Sequence, residues 1–320
     1  MSEVLLSYEV IVYLLSETVL YLLLVIAFII TPTLIKEWDF DSFTQRQFQL
    51  ENRSYLIMTI ILFVMLLKIL LLAYFVYTID TLSGIVAGAM CGAGVIKANE
   101  YGNPLLLLKI IILSLGGLWI TINHFDLKSK SYPYLKLKLW LFIVIFALLS
   151  FESALDILYF TNIDTTNPVT CCSVIFNQAR DTLPLGLDIY KLLILFYLLF
   201  LLVVLMSLMD MYLGIILSSI LFIYISYYSI IYFYGTYIYE LPTHKCPFCM
   251  LQHEYYFIGY LVWGLLLFGV FMGIDYAVSR WFFKENSIAL KRLSLYSLTL
   301  FVLLCSSFVV IYYIKNGVFL

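Results

Sequence analysis

The stretch His244-Lys245-Cys246-Pro247-Phe248-Cys249-Met250-Leu251-Gln252-His253 is the densest run of reactive side chains in the chain. Two cysteines separated by two residues can close a redox-active disulfide, or they can offer two thiolates to one soft metal ion. Two of the chain's three histidines flank the pair, so His244, Cys246, Cys249 and His253 form a candidate sulfur–nitrogen set for zinc or copper(I). Pro247 removes a backbone donor and stiffens the turn between the cysteines. A haem could be held through a histidine, although the Cys-x-x-Cys-His attachment motif is absent. Cys91, Cys171 and Cys172 lie in two other polar connections, whereas Cys305 falls inside an apolar run and reads as a small buried hydrophobe.

The pair is expected just before a transmembrane helix, whose N-terminal dipole would favour a thiolate. In this it resembles the disulfide-forming, quinone-reducing membrane proteins of the DsbB type. That family carries Cys-x-x-Cys-x-x-Gln-Arg at the periplasmic start of a membrane helix. Cys246, Cys249 and Gln252 stand at the same offsets here, with His253 in place of the arginine. The likeness covers this segment and the helix after it; the family has four helices and an early redox pair, whereas here the pair precedes the seventh span. The resemblance implies that Cys246 and Cys249 exchange electrons, that Gln252 and His253 lie near a quinone, and that a periplasmic thiol protein is the partner. A second redox pair would then come from the adjacent Cys171 and Cys172, which can close only a strained and readily reduced ring.

A second group of residues calls for explanation because it lies inside apolar runs. Glu17, Lys68, Lys109, Glu152 and Asp156 would each cost several kcal/mol unpaired in lipid. Glu152 and Asp156 are four apart and share a helix face, so they are expected to meet Lys68 or Lys109. Such a cluster serves either as a proton or ion path or as an ion-pair network that fixes packing. Asp210 and Asp275 fall near helix ends, where they are expected to reach water.

The elements that must position these residues are membrane helices. Of 320 residues, 64% are hydrophobic and 12% charged, against about 25% charged in soluble domains, so lipid must cover much of the surface. At roughly 20 apolar residues per crossing, spans are expected near 10-35, 54-79, 104-123, 139-161, 188-209, 213-237, 253-276 and 293-314. The fold class is therefore an all-α polytopic bundle of about eight spans, taken as one integral membrane domain over 1-320. The N-terminus lacks the basic region of a cleavable signal, so the first run reads as a retained helix. The near-zero net charge of -2 leaves no polybasic tail for nucleic acid.

Lysine and arginine placement gives the orientation. Segments 36-53, 124-138 and 277-292 carry eleven of the 18 basic residues, while Lys97, Arg180, Lys245 and Lys315 mark the other side. The basic segments are assigned to the cytoplasm, which puts both termini and loops 80-103, 162-187 and 238-252 outside. Five of six cysteines then share the outer face of a cell membrane, where oxidising conditions permit disulfides. Gly84, Gly88 and Gly92, spaced by four, suggest a half-inserted helix that carries Cys91. The tyrosines of the sixth span, from Tyr224 to Tyr239, read as an interfacial belt, with a quinone or haem pocket as the other use.

Three functions remain open: a thiol–disulfide oxidoreductase coupled to quinone, a copper- or zinc-handling membrane protein, and a structural subunit whose loops are fastened by disulfides. Cys91 has no partner in its own loop, so the outer loops are expected to converge on one site around Cys246 and Cys249. Sulfur separations near 2 Å would mark disulfides, and separations near 3.5–4 Å would favour a shared metal.

Overall fold

The computed structural model describes residues 3–40, 42, 44–129, 132–169, 186–284 and 287–320. Among them are eight helices long and apolar enough to cross a membrane. They are α1 (Tyr8–Glu37), α2 (Gln45–Thr81), α3 (Gly102–Lys128), α4 (Leu135–Thr161), α5 (Ile189–Leu208), α6 (Tyr212–Tyr239), α7 (Ile258–Phe282) and α8 (Ile288–Asn316). No strand occurs among the described residues. The chain is an all-α, multi-pass membrane protein whose helices contact the lipid bilayer. Val19, Leu22, Ile26 and Ile29 show the outward side of α1, an apolar stripe at helical spacing that water would not tolerate.

Several helix ends lie beyond the apolar runs that announce them. α2 begins at Gln45 rather than near 54, because Thr44 caps it by accepting from the Gln47 amide at 3.3 Å. Asp188 likewise accepts from the Ile189 amide at 2.9 Å to open α5. α8 stops where Gly317 takes a left-handed φ of 72°.

Two compact units divide the described residues. The first comprises 3–87 and 96–167 and contains α1 to α4; α1 packs on α2 and α4, and α3 on α2 and α4. The second comprises 88–95 and 168–320 and contains α5 to α8; α6 packs on α5 and α7, and α8 on α7 and α5. Its core is aromatic, with Phe196, Phe222, Tyr234 and Phe301 stacked edge to face or tilted around Cys305, which is buried as expected.

The glycine-spaced stretch does not form one helix. A 3-10 turn spans Leu82–Gly84, and a separate short helix covers Gly92–Ile96. Gly88 lies between them with φ of 77°, and a Cβ there would sit 2.7 Å from the Val169 carbonyl oxygen. The spacing of four thus reflects a backbone crossing at Gly88, not a shared helical face. Lys138, counted as a loop lysine from sequence, is also inside a helix, where it is buried and pairs with Asp126 at 2.7 Å. Asp275 is buried in α7 instead of reaching water.

Candidate functional site

Cys91, Cys246 and Cys249 come together in the second unit. Their sulfurs all lie within 4.8 Å of one another, and Cys91 Sγ is 3.5 Å from Cys246 Sγ. A disulfide bond is about 2.05 Å long, so these are thiols in contact. The cluster is walled off from solvent, with exposures of 0%, 3% and 7% in that order. Cys171 and Cys172 lie outside the described residues.

The geometry around the pair differs from a helix start. Cys249–Leu251 and His253–Tyr255 form two successive 3-10 turns, and α7 begins only at Ile258. Tyr256 and Phe257 take left-handed φ values of 53° and 56° to complete the reversal. The Cys249 thiol is accordingly pushed up, first by hydrogen bonding with the Cys246 and Cys91 thiols and then by burial. The shift runs opposite to helix-end activation, and its causes are the neighbouring thiols and burial.

Side chains from α6 and α7 hold the turn. α6 contains a π-turn at Ile230–Tyr234, after which its last residues present Tyr239 to the cysteine loop. The Tyr239 hydroxyl donates to the Cys246 carbonyl oxygen and accepts from the Met250 amide at 3.0 Å. Trp263 Nε1 donates to the Pro247 carbonyl oxygen at 3.3 Å, and Gln252 Nε2 to that of Met90 at 3.3 Å. Gln252 therefore ties the Cys91 segment to the Cys246–Cys249 turn. Sequence reasoning grouped Tyr239 with the interfacial tyrosines and missed its role. Tyr224 and Tyr227 do face outward, but Tyr234 and Tyr239 are buried.

The two histidines part company. His253 is exposed and stacks edge-on with Phe257 at 5.8 Å between ring centroids. His244 packs on the Tyr239 ring at 4.3 Å. Its Nε2 is buried with no hydrogen-bond partner among the described residues. Burial lowers its pKa, while the neighbouring Cys91 raises it. Of the two, His244 is the one placed with the thiols.

The intramembrane charges meet in the first unit. Lys68 Nζ donates to Glu17 at 2.8 Å and to Glu152 at 2.8 and 2.9 Å. Lys109 Nζ donates to Glu152 at 2.6 Å and to Asp156 at 3.0 Å. Each partner comes from a different helix of α1 to α4, apart from Glu152 and Asp156, whose spacing of four sets both on one face of α4.

No protein-family model, no curated protein and no solved structure matches the chain. Fold and sites together define the class: a multi-pass membrane helix protein with a buried three-thiol cluster and a separate buried ionic cluster.

Proposed function

We propose that the chain is a metal-handling membrane protein, and that Cys91, Cys246 and Cys249 bind a soft ion, copper(I) or zinc. The observation that carries this is the mutual spacing of three buried thiols drawn from segments 155 residues apart, 3.5 Å at its closest. Metal–sulfur bonds of about 2.3 Å put tetrahedral ligands about 3.8 Å apart, so little movement is needed to close on an ion. His244, whose buried Nε2 has no hydrogen-bond partner among the described residues, senses Cys91 but stands outside the three-sulfur group, so it would have to move inward to become a fourth ligand. Tyr239, Trp263 and Gln252 hold the loops and so limit the rearrangement on binding. The lysine and arginine asymmetry of the sequence supports an outer-face location for this site.

Thiol–disulfide exchange is the second reading, favoured by the contact of Cys91 with Cys246 beside Cys249 and by the DsbB-like segment. Oxidation of two of these thiols would deliver two electrons and two protons to a quinone. Burial weighs against it. A protein thiol must bring its own sulfur to bonding distance, whereas an ion needs only a narrow path.

Elemental analysis of the full chain, purified after growth with copper or zinc, distinguishes the two. About one equivalent of metal, lost in Cys91→Ser, is expected, with Cys91, Cys246 and Cys249 alkylated without reductant once the metal is chelated. A metal-free protein whose Cys91, Cys246 or Cys249 becomes alkylable only after reduction would refute the metal reading.

A further inference from the structure

Tyr13 has one hydroxyl proton, yet its oxygen faces two carboxylates. It lies 3.1 Å from Glu17 Oε1, and 3.1 and 3.2 Å from the two oxygens of Asp156. Lys109 Nζ donates to the same phenol oxygen at 2.5 Å. A phenol donates once. Whichever carboxylate receives that proton, the other meets the phenol oxygen lone pair to lone pair unless it carries a proton itself. The lysines cannot fill the gap. Lys68 faces Glu17 and Glu152, and the three hydrogens of Lys109 go to Tyr13, Glu152 and Asp156 Oδ2.

Charge leads to the same result. Three carboxylates face two ammonium groups, so full ionisation would leave one uncompensated negative charge. None of the five charged residues is more than 8% exposed, and Tyr13 is fully buried. An unbalanced charge is disfavoured in such surroundings. The groups that face this point are Tyr13 and Glu17 from α1, Lys68 from α2, Lys109 from α3, and Glu152, Asp156 and Tyr159 from α4.

We propose that this cluster is a proton-binding site that holds one exchangeable proton on Asp156, hydrogen-bonded to the Tyr13 oxygen. Asp156 is the carboxyl with the least ammonium compensation. Glu17 takes two short bonds from Lys68, Glu152 is bonded by both lysines, and Asp156 has one lysine bond at 3.0 Å. Tyr13 also offers a relay. Asp156 passes its proton to the phenol oxygen as the phenol proton moves to Glu17, so the proton crosses from α4 to α1 without changing the cluster's charge. At the Glu17 end a cavity of about 10 Å³, lined by Glu17, Lys68, Lys109 and Glu152, is the size of roughly one water molecule. A water there can exchange a hydrogen with Glu17, taking the relayed proton and giving one back, so the bound proton exchanges with solvent while the cluster stays neutral.

Infrared spectroscopy of the full chain in lipid nanodiscs at neutral pH tests the proposal. The wild type should show a protonated-carboxyl C=O band, of one carboxyl per chain, that shifts in D2O. The band should vanish in Asp156→Asn. It should also vanish in Glu17→Gln, where two carboxylates balance two lysines, so the second variant serves if the first misfolds. Tyr13→Phe should keep the band but shift it, because the proton loses its acceptor. No band in the wild type, or a band surviving both Asp156→Asn and Glu17→Gln, would overturn the proposal. So would a band abolished by added sodium, since a metal cation would then be balancing the charge.

Discussion

Replacing Lys68 with methionine tests whether the ionic cluster holds the first unit together. Methionine keeps most of the side chain's length and apolar surface, so the change removes chiefly the ammonium. That ammonium lies 2.8 Å from both Glu17 and Glu152. Removing one partner of a buried pair costs about 3–5 kcal/mol, because the remaining charge is stranded in a low-dielectric interior. Glu152 keeps Lys109 at 2.6 Å, whereas Glu17 is left with the neutral Tyr13 hydroxyl at 3.1 Å and Lys109 at 3.8 Å, so most of the loss falls on Glu17. Denaturant unfolding of the full chain in mixed micelles should therefore show Lys68→Met destabilised by that amount, a large share of a typical ~5–15 kcal/mol. Adding Glu17→Gln removes the stranded charge and should restore roughly 1–3 kcal/mol, the coupling expected of contacting residues. If Lys68→Met unfolds within about 0.5 kcal/mol of wild type, as exposed substitutions do, the cluster is not the buried network described, and the reasoning from desolvation fails.

Two further outcomes are expected. A cysteine placed at exposed Thr243, in the loop that follows α6, should react with a membrane-impermeant maleimide in intact spheroplasts; reaction only after the cytoplasmic face is opened would reverse the orientation drawn from the basic residues. At the turn between α5 and α6, Asp210 accepts hydrogen bonds from Lys291 at 2.6 Å and Tyr276 at 2.7 Å, which hold its carboxyl below the usual range. A lowered carboxyl contributes stability above its unfolded pKa and loses it as pH falls through the folded value. Asp210→Asn should therefore cost less than about 1 kcal/mol at neutral pH, given a side chain 39% exposed, and variant and wild type should converge in acid. A stability gap that persists at pH 2, measured by the same unfolding assay, would rule out the ion pair as its source.

The eight crossings were legible because an apolar run of membrane length has few other readings. Their ends were less so. Residues 45–53 carry Gln45, Arg46, Gln47, Glu51, Asn52 and Arg53, which give no apolar signal, yet α2 runs through them because a helix already formed extends at little further cost. The 82–96 stretch misled for a related reason. A glycine every fourth residue is the pattern both of a close-packed helix and of separate backbone crossings, and only the φ of Gly88 distinguishes them. Lys138 showed the limit of charge counting, since a buried ion pair with Asp126 looks in sequence like two loop charges.

The two sites were legible to different depths because they rest on different constraints. Glu152 and Asp156 could be matched with Lys68 and Lys109 from the cost of unpaired ions alone, a rule that needs no knowledge of the backbone. Tyr13 could not be added to them, because the apolar runs hold many tyrosines and its own position carries no mark. At the thiols, Cys91 pointed across loops because it lacked a partner in its own. Which histidine would join it was beyond sequence. That depends on Tyr256 and Phe257 turning left-handed and on two 3-10 turns before α7, all of which carry His253 outward, while the Tyr239 ring retains His244. Residues that act by charge in lipid can thus be paired from their types. Residues that act by direction, like these histidines, are fixed only by the turns between them.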